Sequence, residues 1–254
     1  MELTNSIIIP AHNEEKRIAK TLDDYCSFFP DAEIIVVLNA CSDNTLDIIL
    51  DYKKKYKNLS YVNLIHGGKG YALTNGFKIA QGDIVGFTDA DGSTSAKEYN
   101  KLIDSLLLLG VDGVIASRKM KNSIVNPKQP PIRQLAGYTF NWIVRLMFGF
   151  KYKDTQTGAK VFTAEAVKDI SRIDYCTQWA FDVSLLYELK RQGYEVEEIG
   201  IEWNDCDGSK VKIFRSSIRM FLSIVRLRIL YSPFNPFLML YNKLPDWMKV
   251  HHLI

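Results

Sequence analysis

The 254-residue sequence has few cysteines and no long hydrophobic run. Its four cysteines form no CxxC pair and lie near no histidine cluster, so neither a zinc site nor a disulfide framework is predicted. No uninterrupted apolar run reaches the ~18 residues of a membrane-spanning helix. The N-terminus has no basic segment followed by a long apolar one, so no signal peptide is predicted. A reducing, cytosolic compartment is the expectation.

The sequence also has little net charge. A net charge of +3 is too small to indicate nucleic acid as a partner, and no segment interleaves aromatic residues with a long basic stripe. The charge is unevenly distributed, however. Residues 207–254 contain eight Lys and Arg but only two Asp, a net charge of +6, so the first 206 residues carry −3. This asymmetry favours an anionic surface as the partner of the C-terminal part, with a solvated basic helix face as the alternative.

What the sequence does contain is an alternation of short Ile- and Val-rich runs with helical stretches. Such runs are typical of strands buried on both faces, and they occupy residues 6–9, 33–38, 61–65, 83–88 and 112–117. The first helical stretch places Ile18, Leu22, Tyr25 and Phe29 on one apolar face. This order predicts an α/β fold, a Rossmann-like and mostly parallel sheet with helices on both faces. Ligands of such sheets bind beyond the carboxyl ends of the strands.

The alternation stops after residue 118. Residues 119–134 contain three prolines and many polar groups, which predicts a mobile loop, and residues 135–150 predict an ordinary core helix. Residues 212–228 predict a helix with a narrow cationic stripe on an otherwise apolar surface. The stripe consists of Lys212, Arg215, Arg219, Ser223 and Arg226. We therefore divide the chain at residue 210, and expect residues 211–254 to form amphipathic helices at a membrane interface rather than a dimer interface or domain core.

Two carboxylates, Asp89 and Asp91, lie one residue apart at the end of a predicted central strand. Like charges held that close repel each other unless a positive group lies between them. A hard divalent cation such as Mg2+ or Mn2+ is often held by one or two carboxylates together with substrate phosphates. The alternative is that Asp91 only caps the next helix. Lys69, flanked by glycines ahead of a helix, suits a diphosphate, although no Walker A motif is present.

At this point the sequence resembles a known family. The segments that carry the resemblance are "IIIPAHNEE", "VVLNACSDNT", "GGKGYALTNGFKIAQGD", "FTDADGS" and "ASR". Their order is similar to that of family 2 inverting glycosyltransferases of the GT-A fold, over roughly residues 6 to 210. Three later segments, "DTQTGAKVF", "WAFDVSLLYEL" and "EWNDCDGSK", resemble the polyprenyl-phosphate subgroup that makes dolichyl-phosphate glucose.

The resemblance implies a reaction and its partners. We expect a peripheral enzyme on the cytoplasmic face of a membrane that transfers a hexose from a nucleotide sugar, with UDP-glucose favoured, to dolichyl or polyprenyl phosphate. The resemblance implies Mg2+ or Mn2+ as the cofactor, and a homo-oligomer is left open. Because the second pKa of a phosphate monoester is about 6, this acceptor needs no strong general base.

The resemblance also implies roles for individual residues. Asp91 would coordinate the cation on the donor diphosphate, and Asp89 would contact the ribose or the same cation. Arg118 and Arg133 match positions that contact the acceptor phosphate. The remaining donor-binding positions are Pro10, Ala11, His12, Glu14, Asn39, Lys69, Ala90 and Lys210. Asp154, Gln156 and Trp179 would line the donor sugar and the acceptor side.

Two residues leave alternatives open. Asn39 stands where the family commonly has an aspartate that reads the nucleobase, and an amide can donate as well as accept. Asp182 is interpreted as a catalytic or sugar-orienting carboxylate, with a helix N-cap as the alternative. The rival functions are a GDP-mannose donor, a saccharide acceptor with Asp182 as base, a nucleotidyltransferase, and a binding module without activity.

Overall fold

The computed structural model of the protein describes residues 3–127, 130–170, 180–204, 213–234 and 236. Within these residues the strands are β1 (Asn5–Ala11), β2 (Glu33–Asn39), β3 (Leu59–Leu64), β4 (Ile84–Phe87), β5 (Gly113–Ser117), β6 (Ile124–Asn126), β7 (Lys160–Thr163), β8 (Val196–Gly200) and β9 (Glu202–Asn204). The helices are α1 (Ile18–Phe28), α2 (Thr45–Lys55), α3 (Lys69–Ile79), α4 (Ala96–Leu109), α5 (Pro131–Phe148), α6 (Ala164–Ile170), α7 (Phe181–Gln192) and α8 (Ile213–Leu230).

The central sheet has seven strands in the order β3-β2-β1-β4-β7-β5-β8. Every neighbouring pair is parallel except the two that β7 makes with β4 and β5, which are antiparallel. The predicted mostly parallel α/β sheet is therefore confirmed, and its first five strands form where the Ile- and Val-rich runs predict them. The antiparallel insertion of β7 was not predicted, because a four-residue strand shows no alternation long enough to read.

The two faces of the sheet bury two separate cores. Along β1 the side chains alternate, so that Ile7 and Ile9 enter one core while Ile8 enters the other. The first core is covered by α1 and α4, and the predicted apolar face of α1 lies in it, with Leu22 and Tyr25 fully buried. The second core is covered by α3 and by α5 to α8. This layering leaves the carboxyl ends of β1, β2 and β4 open at one edge.

Two predictions beyond residue 118 are wrong. Residues 119–134 do not form an irregular loop throughout, since residues 124–126 form β6, which pairs in parallel with β9, and α5 begins at Pro131. Proline is tolerated in the first helical turn because the N–H it lacks would have no partner there. Residues 135–150 are not an ordinary core helix either. Among the residues of α5, only Asn141, Val144 and Phe148 are buried.

The C-terminal helix is present as α8, close to its predicted bounds. Ile224 and Leu227 are fully buried in the same core as Val144 of α5. The proposed domain boundary at residue 210 falls outside the described residues and stays a prediction, as does the interfacial role of residues 211–254. No helix within the described residues combines the length and the hydropathy that a bilayer crossing requires.

Candidate active site

A cleft of about 180 Å³ lies at the carboxyl ends of β1, β2 and β4. The residues that line it are Pro10, His12, Glu14, Asn39, Lys69, Asp89, Ala90 and Asp91. All eight belong to the ten residues that the sequence predicted for the donor pocket. Of the other two, Ala11 is fully buried at the end of β1, and Lys210 lies outside the described residues. The structure therefore brings eight of the ten residues together at one cleft.

The turn that carries Asp89 and Asp91 is held in place by α1. The Thr21 hydroxyl donates to the carbonyl oxygen of Ala90 at 2.9 Å, and the Tyr25 hydroxyl donates to that of Thr94 at 2.9 Å. Gly92 has φ of +73°, which a side chain rarely adopts, so glycine is needed at this point of the turn. The helix therefore fixes the direction in which the two carboxylates face.

Asp91 does not cap the following helix. Its carboxylate accepts a hydrogen bond from the backbone N–H of Ser93 at 2.9 Å, inside its own turn. The N-cap of α4 is Ser95, whose side chain accepts from the N–H of Glu98. The alternative interpretation of Asp91 as a helix cap is therefore wrong.

Lys69 lies at the first residue of α3 and faces the carboxylate turn. Its Nζ is 2.7 Å from Oδ1 of Asp89. Burial opposes a charged ammonium, but the carboxylates of Asp89 and Asp182 outweigh this and hold the pKa of Lys69 above its usual value. Burial likewise acts against an ionised Asp89, yet Lys69 keeps the pKa of Asp89 below its usual value. Both groups are charged at neutral pH.

Asn39 fixes the start of α3. Its Oδ1 accepts a hydrogen bond from the backbone N–H of Gly68, the N-cap residue of α3, at 2.7 Å. This contact assigns the amide orientation, so Nδ2 is the remaining terminal group of the side chain and can only donate. The N-terminus of α3 therefore reaches the cleft together with the Lys69 ammonium, an arrangement that suits a phosphate group.

His12 and Glu14 also line the cleft. The Nδ1 atom of His12 is 2.6 Å from the carbonyl oxygen of Asn39. Glu14 is paired with Arg17 through two hydrogen bonds of 2.7 Å each. Arg17 was not singled out from the sequence, since the pair lies in the turn before α1, where no helical period marks it.

Gly158 packs directly against the Asp89 carboxylate. A Cβ atom at this position would overlap the carboxyl group of Asp89. The glycine of the segment "DTQTGAKVF" is therefore needed for close approach to the cleft. The segment contributes to the family resemblance, but no role could be predicted for Gly158, because nothing in the local sequence shows which residue it faces.

Asp182 is paired with a fully buried lysine. Oδ1 of Asp182 accepts from Nζ of Lys160 at 2.6 Å, and Lys160 is 0% exposed. Burial lowers the pKa of Lys160, while Asp182 acts in the opposite direction. The N-cap of α7 is Ala180 and has no side-chain cap, so the interpretation of Asp182 as an N-cap is wrong. A lysine within the apolar run "AKVF" was the available signal of a buried ion pair.

Arg118 follows β5 and is oriented by Asp154. Its Nε and Nη2 atoms donate to the two carboxylate oxygens at 2.8 and 3.0 Å, and its guanidinium lies 5.2 Å from the Trp203 ring. Burial would raise the pKa of Asp154, but Arg118 holds it well below its usual range. Because β5 runs in the same direction as β4, Arg118 lies at the same edge of the sheet as Asp89, and its charge contributes to the low pKa of Asp89.

The neighbouring Lys119 was not predicted as a site residue. Its Nζ donates to the carbonyl oxygen of Gly137 on α5 at 3.0 Å, and burial lowers the pKa of Lys119.

Two other residues predicted for the acceptor side, Arg133 and Gln156, do not line the cleft. Arg133 lies in the first turn of α5 and is half-buried. The Gln156 Nε2 atom is buried and has no hydrogen-bond partner among the described residues. Trp179 lies outside the described residues.

The carboxylate turn fits a hard divalent cation. Asp89 and Asp91 offer oxygen ligands, and the Lys69 ammonium beside Asp89 shows that the turn attracts positive charge. Within the described residues no group of three or more His, Cys, Asp or Glu side chains could enclose a metal ion. A cation here would therefore need oxygen atoms of a substrate, such as those of a diphosphate, to complete its coordination.

Comparison with known proteins identifies the family. The sequence profile of glycosyl transferase family 2 matches residues 6–171. The chain is 31% identical over 240 residues to a dolichyl-phosphate beta-glucosyltransferase of Trichomonas vaginalis, covering 89% of this chain and 73% of the relative. It is 32% identical over 253 residues to the dolichyl-phosphate beta-glucosyltransferase of Saccharomyces cerevisiae, covering 91% and 75%.

Solved structures agree on the fold. Glucosyl-3-phosphoglycerate synthase of Mycobacterium tuberculosis, solved with Mn2+, UDP-glucose and phosphoglyceric acid, superposes with a TM-score of 0.68 at 16% identity, covering 91% of this chain and 82% of that one. Mannosyl-3-phosphoglycerate synthase of Rubrobacter xylanophilus gives 0.65 at 18% identity, covering 90% and 74%. Identities this low carry the fold alone. The sequence profile and the two relatives establish that the chain belongs to glycosyl transferase family 2, the nucleotide-sugar glycosyltransferases, and the solved structures show its GT-A fold.

Proposed function

We propose that this glycosyltransferase moves a glucose residue from UDP-glucose to dolichyl or another polyprenyl phosphate, with inversion at the anomeric carbon and with Mg2+ or Mn2+ as cofactor. The observation that carries the proposal is the cleft, where Asp89, Asp91, Lys69 and the N-terminus of α3 meet at one sheet edge. The names of the relatives in Trichomonas and yeast support the lipid acceptor and the glucosyl group.

The donor diphosphate would bind between the carboxylate turn and α3. Asp91 and Asp89 would hold the cation, which would stabilise the negative charge that develops on the departing diphosphate. Lys69 is already charged and partly exposed, so its ammonium can turn from Asp89 to a phosphate oxygen. The N–H groups at the start of α3 would add further favourable charge. Pro10, His12, Glu14 and Asn39 would form the pocket for the nucleoside.

The acceptor phosphate would bind on the side of Arg118. The guanidinium is held by Asp154 and Trp203 before any substrate arrives, so little conformational entropy is lost when a phosphate binds. We assign Arg133 and Gln156 to the same side. A phosphate oxygen then attacks the anomeric carbon from the face opposite the diphosphate, a new C–O bond forms, and the old one breaks to release UDP.

This reaction needs no general base, and that distinguishes it from the rival reaction with a saccharide acceptor. A saccharide hydroxyl would have to lose a proton during attack, and Asp182 would be the residue to take it. The Asp182 Oδ1 atom, however, already accepts a hydrogen bond from Nζ of the buried Lys160, so this oxygen is occupied in a contact within the fold. This contact supports the phosphate acceptor, with Asp182 as a positioning residue. The family assignment removes the support for a nucleotidyltransferase or a binding module.

A polyprenyl chain stays in the bilayer, so the enzyme must reach its acceptor at the membrane surface. We therefore propose a peripheral enzyme on the cytoplasmic face, with residues 211–254 at the interface and residues 1–210 as the catalytic domain. A homo-oligomer stays a prediction from the sequence.

The test is transfer of radiolabel from UDP-glucose, and in parallel from GDP-mannose, into an organic-extractable product. Purified protein is incubated with a short polyprenyl phosphate and Mn2+, with EDTA as the control and a soluble saccharide as the rival acceptor. We expect label from UDP-glucose in the lipid fraction, abolished by EDTA. Label from GDP-mannose alone would overturn the donor, and label only in the saccharide would overturn the acceptor.

A further inference from the structure

Lys119 is a half-buried lysine whose ammonium contacts no carboxylate within the described residues. Its Nζ atom donates to the carbonyl oxygen of Gly137 at 3.0 Å and lies 4.9 Å from the centre of the Tyr138 ring. The buried Lys160, by contrast, is paired with the Asp182 carboxylate at 2.6 Å. Burial that removes hydration from an ammonium is unfavourable unless an anion compensates it.

The Gly137 carbonyl does not need this hydrogen bond. Gly137 lies inside α5, more than a turn from either end, and a carbonyl there already accepts the helical N–H four residues further on. A lysine stabilises a helix at its C-terminus, where the carbonyls lack partners, as Lys190 does by donating to Phe148 at the end of α5. Anchoring of α5 therefore explains the burial of Lys119 poorly.

Lys119 contacts the same face of α5 that supports the ion pair of Arg118. Asn141, one turn after Gly137, is buried and accepts a hydrogen bond at 3.3 Å from the hydroxyl of the residue that follows Asp154. Asp154 in turn is paired with Arg118 at 2.8 Å. One helical turn rises by about 5.4 Å, so the two contacts with α5 are close together. Arg118 and Lys119, consecutive in the chain, therefore contact one region of the fold.

The charges of this region also require Lys119 if an anion is to bind. Asp154 is paired with Arg118, and Glu198 accepts the backbone N–H of Asp154 at 2.7 Å, so two carboxylates lie beside one guanidinium. Arg133 adds a second guanidinium in the first turn of α5. Without the Lys119 ammonium these four charges cancel, and no excess positive charge remains among them for a phosphate. With it, the region carries one positive charge more than it has carboxylates.

We propose that Lys119 contacts the acceptor phosphate as a second cation beside Arg118, with its ammonium turning from the Gly137 carbonyl to a phosphate oxygen. The flexible stem of lysine permits this turn, and an ammonium binds a phosphate as a point charge, without the fixed geometry of a guanidinium. A phosphate monoester is close to a dianion at neutral pH, so two cations suit it. The identity of the phosphate as the acceptor rests on the proposed function, whereas the anion contact of Lys119 does not.

The test compares three variants in the transfer assay with UDP-glucose, Mn2+ and a short prenyl phosphate. Lys119→Met keeps the apolar stem and removes the charge, Lys119→Arg keeps the charge, and Lys121→Met removes an exposed charge two residues away as the matched control. Because Lys119→Met loses a hydrogen bond between charged groups, it should raise the KM of the prenyl phosphate at least about tenfold and leave the KM of UDP-glucose within about twofold. Lys119→Arg should recover most of this loss, and Lys121→Met should show none.

Thermal unfolding separates this role from a structural one. If Lys119 binds an anion, Lys119→Met removes a partly desolvated charge, so the melting temperature should stay unchanged or rise. If Lys119 only anchors α5, Lys119→Met should lower the melting temperature and leave the KM of the prenyl phosphate unchanged. That combination would overturn the proposal.

Direct binding separates this inference from the proposed function, because it needs no turnover. The prenyl phosphate, and inorganic phosphate as a second probe, are titrated into wild type and Lys119→Met in the presence of UDP and Mn2+. We expect Lys119→Met to bind both probes at least about tenfold more weakly. Such weakening, with no lipid product from wild type with either donor, would overturn the proposed function and leave Lys119 as a phosphate contact. Equal affinities of the two proteins, with normal transfer by wild type, would overturn the role of Lys119 and leave the proposed function standing.

Discussion

At the scale of single residues, the site depends on contacts between positions far apart in the sequence. Asp89 and Asp91 could be predicted from the sequence because both follow a strand whose end must lie at the ligand-binding edge. The partner of Arg118 could not, because Asp154 is 36 residues away and only the folded chain brings them to 2.8 Å. Gly158 was missed for the same reason, since its importance comes from the carboxylate it faces.

Gly158→Ala tests the close packing behind Asp89. The added methyl group would overlap the Asp89 carboxylate and push it away from Lys69 and from the cation position. We expect transfer activity to fall at least tenfold. The control is Gly137→Ala, where a Cβ meets nothing within 4 Å, and which should leave activity unchanged while stabilising α5 by about 0.5–1 kcal/mol. Full activity in Gly158→Ala would show that the position of Asp89 does not matter.

Asp154→Asn tests the ion pair that orients Arg118, through its pH dependence. Arg118 lowers the pKa of Asp154 in the folded state, so the stabilisation is complete above the unfolded pKa of about 4 and is lost as the pH falls towards the folded value. We expect Asp154→Asn to cost about 1.5–3 kcal/mol in free energy of unfolding at pH 7. Below about pH 4 this cost should shrink by up to about 1.4 kcal/mol per pH unit. Urea unfolding at pH 7, 5 and 3 measures it, and a cost independent of pH would contradict the assignment.

At the scale of helices and strands, the periodicity of the sequence predicts where each element lies. It predicts less well which face of the element is buried. The period of α5 identifies a helix, but a helix has the same period whether its apolar side chains are buried or exposed. Trp142 and Leu146 therefore looked like core residues, and the structure exposes both. The short strand β7 could not be predicted from the local sequence either, because only its pairing with β4 and β5 shows that it is a strand.

The strand β7 and the helix α7 are joined at the site by Lys160 and Asp182. Removing one partner of a buried ion pair leaves an uncompensated charge, so Lys160→Met should cost about 3–5 kcal/mol in free energy of unfolding. The double variant Lys160→Met, Asp182→Asn should recover much of this loss, because no unpaired charge remains. Chemical denaturation of the two single variants and the double variant gives the coupling energy. Additive losses would contradict a direct pairing.

The same variants test the role of Asp182 in the reaction. If Asp182 only positions its neighbours, Asp182→Asn should reduce turnover without abolishing it, and should leave the pH profile of turnover unchanged. Loss of all turnover, or loss of a basic limb in the pH profile, would indicate a general base and favour a saccharide acceptor.

At the scale of the whole molecule, the fold places the proposed donor site and the proposed acceptor site at one edge of a single sheet. The strand order brings the ends of β1, β2 and β4 together, and the alternation of strands and helices was enough to predict this. The charge of +6 on residues 207–254 predicts an anionic surface as their partner. It does not predict that α5, which lies outside that segment, presents the larger exposed apolar face. That surface depends on which faces α5 and α8 bury against each other.

We propose that the carboxylate turn holds the donor diphosphate through a divalent cation. Calorimetric titration of UDP tests it most directly, using wild type and Asp91→Asn, each with Mn2+ and with EDTA, and Asp104→Asn on the exposed part of α4 as the matched control. We predict that wild type and Asp104→Asn bind UDP in Mn2+ at least tenfold more tightly than in EDTA, and that Asp91→Asn loses this difference while its melting temperature is kept. UDP binding that is equally tight with EDTA, or unchanged in Asp91→Asn, would show that the carboxylate turn does not hold the diphosphate through a cation.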